Sequence, residues 1–169
     1  MAGKKTCASG CAALFSAVFL LTFVPSSTAK EFKGAKPGVS TRKWVIEKFG
    51  EPYKEFSKGG RLSNALNYQG DNSIEGALEV NFYFDKNDIL FRVDVWPTRE
   101  INTKQVEQIF GKKYQERVTK KGHRFFNYYG AGMVVFFEKD RDVVHSFMFT
   151  ESRQASRKKK TGSPSQEKK

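Results

Sequence analysis

Leu78-Glu79-Val80-Asn81-Phe82-Tyr83-Phe84-Asp85-Lys86-Asn87-Asp88-Ile89-Leu90-Phe91-Arg92-Val93-Asp94-Val95 is the stretch whose reading decides the fold. Leu78, Val80, Phe82 and Phe84 alternate with Glu79, Asn81 and Tyr83. Ile89, Phe91, Val93 and Val95 alternate with Leu90, Arg92 and Asp94. A period of two carried by β-branched and aromatic residues marks strands half buried against a core. Asp85 to Asp88 reads as the hairpin loop between them, because Asp and Asn side chains bond their own backbone and favour turns. The alternation assigns Phe82, Phe84 and Phe91 to a buried sheet face. Further along the chain, Phe136, Phe147 and Phe149 take the same role.

Outward from this hairpin, the chain repeats itself. Phe49-Gly50-Glu51-Pro52-Tyr53-Lys54-Glu55 matches Phe110-Gly111-Lys112-Lys113-Tyr114-Gln115-Glu116 at an offset of 61. Asn67-Tyr68-Gln69-Gly70 matches Asn127-Tyr128-Tyr129-Gly130 at 60, and Phe84-Asp85-Lys86-Asn87 matches Phe137-Glu138-Lys139-Asp140 at 53. Each match follows a short helical pattern. Ser40 or Thr41 caps a helix over Arg42 to Phe49 that Gly50 ends, and Pro52 forbids its continuation. Asn102 or Thr103 caps a second helix running to Phe110 before Gly111, with Val106, Ile109 and Phe110 as its apolar stripe. Strands are expected at 63–69, 124–129, 133–137 and 143–149. The expected fold is α+β: two tandem copies of a helix followed by an antiparallel three-stranded meander, sharing one core. Units of this size bury little surface alone, so the copies are expected to pack together.

The ends of the chain carry different signals. Lys4 and Lys5 precede a 14-residue apolar run, Cys11 to Val24, then Pro25 and the small residues Ser27-Thr28-Ala29. That order is a secretory signal peptide over 1–29, and the run is short for a bilayer span of roughly 20 apolar residues. Both cysteines, Cys7 and Cys11, fall inside it, so the exported chain is expected to hold no disulfide. The organisation then reads as a first α+β repeat over 30–96, a second over 97–152 and a disordered basic tail over 153–169. The net charge of the 169-residue chain is +12, and the tail holds seven Lys or Arg against one Glu. Such a tail lacks the apolar residues a core needs and suits an anionic surface.

The residues Pro37-Gly38-Val39-Ser40-Thr41, Val45, Phe49-Gly50-Glu51-Pro52 and Phe84-Asp85-Lys86-Asn87 resemble the SmpA/OmlA family, small lipoproteins of the outer-membrane assembly machine. The duplicated form is similar to β-lactamase-inhibitor-type proteins. The resemblance covers 37–95 well and 98–150 more weakly. The chain departs from both patterns: there is no lipobox, Lys113 stands where the first copy has Pro52, and the inhibitor-type cysteines are missing. The resemblance implies a non-catalytic extracytoplasmic domain that works by protein contact.

Catalytic signatures are missing from the sequence. His123 and His145 have no second His or Cys at metal spacing. Asp85, Asp88, Asp140 and Asp142 sit in loops without the glycine and glutamate of a calcium loop, and turn chemistry accounts for them. No Walker loop, nucleophile elbow or zinc-protease motif occurs. No cofactor and no metal are expected. The expected function is an exported, non-catalytic binding protein of the bacterial envelope or periplasm, acting through protein–protein contact. Tyr68, Tyr83, Phe126 and Tyr128 on the strands are the candidate contact residues. Arg157, Lys158, Lys159 and Lys160 are the candidates for a second reading, electrostatic binding of an anionic lipid, glycan or nucleic acid through the tail. A third reading is an unrecognised hydrolase pairing one of the histidines with a carboxylate.

Overall fold

The computed structural model describes residues 30–56 and 64–152. Arg42–Phe49 forms helix α1 and Thr103–Phe110 forms helix α2. The Thr41 hydroxyl accepts from the Trp44 amide at the start of α1. At α2, Asn102 accepts from the Gln105 amide while the Gln105 side chain accepts from the Asn102 amide, a reciprocal capping box. Gly50 and Gly111 close the two helices at φ 83° and 80°.

The strands are β1 (Lys54–Phe56), β2 (Ala65–Gln69), β3 (Ala77–Phe84), β4 (Leu90–Pro97), β5 (Gln115–Val118), β6 (Arg124–Tyr128), β7 (Met133–Phe137) and β8 (Val144–Thr150). They form one antiparallel sheet in the order β1-β2-β3-β4-β8-β7-β6-β5. Its centre is the β4–β8 seam, where Arg92, Val93, Asp94 and Val95 pair with Thr150, Phe149, Met148 and Phe147.

This topology corrects the expected α+β arrangement of two tandem helix-plus-three-strand copies. The molecule is mostly β: one continuous eight-stranded sheet with two short helices among the described residues. The missed strands are the two edges. Lys54-Glu55-Phe56 and Gln115-Glu116-Arg117-Val118 are exposed along their whole length, so they carry no hydrophobic period to read. Short, charged edge strands of this kind also discourage edge-to-edge association.

Two cross-strand rows build the core. Tyr68, Val80, Val95, Phe147, Val135 and Phe126 are successive partners across six strands, and so are Leu66, Phe82, Val93, Phe149, Met133 and Tyr128. All twelve are buried. Each such side chain contributes roughly 1.5–3 kcal/mol of transfer free energy. Both helices cover this face. Phe49 of α1 stacks on Phe82 with ring centroids 5.3 Å apart, and Phe110 of α2 meets Tyr128 at 6.1 Å and Phe147 at 6.0 Å. Phe32 lies among Phe49, Phe82 and Phe149, while the Lys30 ammonium sits 5.7 Å above the Phe110 ring. The segment before α1 thereby joins α1, the sheet and α2.

Three register shifts overturn the simple alternation. Leu78 has no partner between the pairs Ala77–Pro97 and Glu79–Trp96. Phe91 is the extra residue between Tyr83–Arg92 and Phe84–Leu90. His145 is the extra residue between Phe136–Ser146 and Phe137–Val144. Each bulge turns the side chains around it, because a one-residue slip exchanges the two faces. Leu78 is therefore 62% exposed, Leu90 takes the buried place and Phe91 turns outward. Phe136, expected in the core, also faces outward opposite Phe125. Ile109 of the expected α2 stripe is exposed, leaving Val106 as that helix's buried residue.

Candidate functional site: the uncovered sheet face

The sheet face away from the helices carries two kinds of surface. Across the middle of β2, β3 and β4 it is polar. Asn67, Asn81 and Asp94 are cross-strand neighbours, 3%, 8% and 5% exposed. Asn67 Nδ2 donates to Glu79 Oε1 and to Asn81 Oδ1, each at 2.8 Å, and Asn81 Nδ2 donates to the same Glu79 oxygen at 2.8 Å. Asn67 Oδ1 is buried and accepts no hydrogen bond. A buried acceptor without a donor costs about 1–3 kcal/mol.

Beside this ladder, Arg92 grips Asp94 through two bonds, Nε to Oδ1 at 2.7 Å and Nη2 to Oδ2 at 2.6 Å. Burial opposes the Arg92 charge, but the bond to Asp94 and the attraction of that carboxylate and of Tyr83 together outweigh it and hold the guanidinium more firmly protonated. The same guanidinium lies 5.3 Å from the Tyr83 ring centre, a cation–π contact. The rest of the face is aromatic. Phe91 lies 6.4 Å from Tyr83, Phe125 lies 5.6 Å from Phe136, and Arg117 covers Tyr129 at 5.9 Å. Trp96, Phe91, Phe125 and Phe136 are all half-buried.

Of the four strand residues expected to make contacts, only Tyr83 lies on this face. Tyr68, Phe126 and Tyr128 are core residues, 0%, 1% and 4% exposed. The Tyr68 hydroxyl donates to the Gly50 carbonyl at 2.9 Å and the Tyr128 hydroxyl to the Gly111 carbonyl at 3.0 Å. Each ties the end of a helix to the sheet, and Phe126 stacks on Tyr114 at 3.8 Å. Arg157, Lys158, Lys159 and Lys160 lie outside the described residues, as do 1–29. Asn67, Asn81 and Arg92 were missed because polar residues on a strand's outward face read as ordinary solvated positions, and Trp96 because it stands at the junction of the two apparent copies. Their cross-strand adjacency is visible only with the register.

The tyrosines give a measurable consequence. Burial first, helped by nearby carboxylates, pushes Tyr68, Tyr83 and Tyr128 up to about 12; the bond to Glu107 does the same for Tyr114. A raised folded-state value means that the folded chain holds these protons more tightly than the unfolded chain, which releases them near pH 10. Their contribution is therefore complete below about pH 10 and is lost as the pH rises toward 12. Ultraviolet titration is expected to show four late-ionising tyrosines, with stability falling over the same interval.

His123 and His145 come together at one end of this face, and no carboxylate is among the residues around them. Among the described residues no group of three or more His, Cys, Asp or Glu is placed to hold a metal ion. No described helix is long and apolar enough to cross a membrane.

Fold and face together define a mostly β protein with one sheet face covered by helices and the other presented outward. A solved structure with a similar fold is that of a DUF4309 family protein (YjgB) from Bacillus subtilis subsp. subtilis str. 168. It is 12% identical, with a TM-score of 0.52 over 73% of this chain and 86% of that one. No family model and no curated protein matches the sequence. The resemblance to SmpA/OmlA proteins and to tandem inhibitor-type proteins is thereby corrected. Short matches such as Phe49-Gly50 and Phe84-Asp85-Lys86-Asn87 belong to helix ends and hairpin loops, local features that an eight-stranded sheet uses equally well.

Proposed function

We propose that this chain is an exported, non-catalytic binding protein of the bacterial envelope or periplasm, and that it works through protein contact on the uncovered sheet face. The observation that carries this reading is the clustering of Tyr83, Phe91, Arg92, Trp96, Phe125 and Phe136 on that face, half-buried in each case. Aromatic residues and arginine are the types enriched where protein interfaces concentrate their binding energy. Export rests on the 1–29 pattern of basic start, apolar run and small residues.

The test is the size of the protein in an exported extract of its native host. The wild type is expected to run as a complex larger than its own chain of at most 19.3 kDa. Phe125→Glu is expected to release it while leaving its melting transition in place, and Lys48→Glu on α1 is expected to leave the complex intact. A free wild-type chain, or a complex equally sensitive to both substitutions, overturns the proposal.

The charge of 153–169 supports a second reading, binding of an anionic lipid, glycan or nucleic acid through the tail. Truncation after Ser152 would then abolish binding to anionic vesicles or polyanions. With seven basic residues removed, the salt dependence should flatten as well. Unchanged binding after truncation rules the tail out.

A further inference from the structure

The two histidines of the chain are 22 positions apart in sequence, yet they line one pocket of about 410 Å³. Its other walls are Thr119, Lys120, Lys121, Phe136 and Phe137. Two separate backbone devices place the histidines there. His123 closes the turn between β5 and β6: its carbonyl accepts from the Thr119 amide at 2.8 Å and its amide donates to Thr119 Oγ1 at 3.0 Å. His145 is the bulge residue of β8, the extra position between Phe136–Ser146 and Phe137–Val144. Without the bulge, strict alternation through Val143 and Phe147 would direct it to the core face.

The pocket is one-sided in charge. Lys120 and Lys121 reach it from the β5–β6 turn, His123 from the end of that turn, and His145 from β8. Lys139 of the β7–β8 hairpin lies against the same turn, since a Cβ on Gly122 would stand 3.5 Å from its Cε. The carboxylates of that hairpin are engaged elsewhere. Glu138 bonds Arg141 at 3.0 Å, Asp142 bonds Thr103 and Arg124, and Asp140 lines the cleft on α2's side with them. Phe136 supplies the apolar wall. Clustered cations with no counter-charge within the pocket, beside an aromatic surface, match an anionic head carried on an apolar ring.

We propose that this pocket binds a small organic oxyanion, its charged group held by Lys120, Lys121 and the two imidazoles and its ring packed on Phe136. The pocket adjoins the protein-contact face proposed above and shares Phe136 with it, but its anion binding does not depend on that contact.

The experiment follows histidine ring resonances of the full chain during titration with benzenesulfonate. Benzenesulfonamide serves as the neutral ring control and inorganic sulfate as the headgroup alone. Benzenesulfonate is expected to shift both histidines. Benzenesulfonamide and sulfate are expected to bind more weakly than benzenesulfonate. His145→Gln and His123→Gln should each weaken binding without altering the melting transition. Lys120→Ala/Lys121→Ala should weaken it by about tenfold. Equal binding of the neutral control, unchanged binding by the lysine variant, or shifts confined to residues outside the pocket would overturn the assignment. If sulfate alone binds as well as benzenesulfonate, the aromatic wall plays no part and the organic ligand class is wrong.

Discussion

Phe82→Ala is expected to lower the free energy of unfolding by about 3–5 kcal/mol, the range seen when a buried phenylalanine site is emptied. Phe82 is fully buried on β3, at the point where several elements converge. Its ring meets Phe49 of α1 at 5.3 Å, Tyr68 of β2 at 5.6 Å and Phe32 of the leading segment at 6.4 Å. None of these can close the gap alone, because each is fixed by its own element. Phe49 is held by the helix end, and Tyr68 by its hydroxyl bond to Gly50. Domains of this size are stable by about 5–15 kcal/mol, so the loss is a large fraction of the total. Urea denaturation checks it, with Phe125→Ala as the comparison. Phe125 is only half-buried on the uncovered face, and its truncation is expected to cost clearly less.

Gly132→Ala is the second large effect, and it comes from backbone rather than from a side-chain core. Gly132 precedes β7 at φ +64°, and its carbonyl accepts from the Thr150 amide at 2.7 Å. A Cβ there would stand 2.3 Å from the Thr150 carbonyl oxygen and 3.0 Å from the Ser152 amide nitrogen. Those are backbone atoms of the last residue of β8 and of the segment just after it, so relief requires β7 and that end of β8 to separate. Gly70→Ala is the matched control. It has φ +59° with open space around the added methyl, so it carries the conformational cost alone, about 1–2 kcal/mol. Gly132→Ala is expected to exceed it by at least about 2 kcal/mol, or to prevent folding, because packed backbone has little room to yield. Equal destabilisation by the two substitutions would mean that the β7–β8 end is loosely packed.

What could be read in advance was whatever depends on neighbours in sequence. The helix over Arg42–Phe49, its Thr41 cap and the stop at Gly50 are local chemistry, and they stand as expected. The β3–β4 hairpin is local too, and the Asp85 carboxylate bonds the Asn87 and Ile89 amides within its loop. What failed depends on distant pairing. A bulge is set by the partner strand, so Leu78 and Phe91 read as core when the register turns them out. The edges β1 and β5 bury nothing, and their three and four residues carried no period. The joining of β4 to β8 made one sheet of what read as two meanders, because nothing in Val93 or Phe149 names the other as its partner.

The same limit governed the candidate site. Tyr68 and Tyr128 were candidates for contact because they fall on strands whose facing the sequence leaves open. Their rings are buried, and the neighbouring Asn67 is the residue on the uncovered face. A tyrosine that spans from core to a helix-end carbonyl has the same local sequence as one that faces solvent. Only the position of Gly50 and Gly111 above the sheet separates the two.

The face bearing Asn67, Arg92, Trp96 and Phe125 is the one proposed to meet a partner. Site-specific photo-crosslinking tests it most directly, with the reactive side chain placed at position 125 or 96 on that face and at position 48 on α1, in the native host. The account predicts one discrete protein adduct from positions 125 and 96, lost when Arg92→Glu is added, and no adduct from position 48. Adducts from position 48 with none from 125 or 96 would contradict it, and would place the contact on the helical side of the sheet.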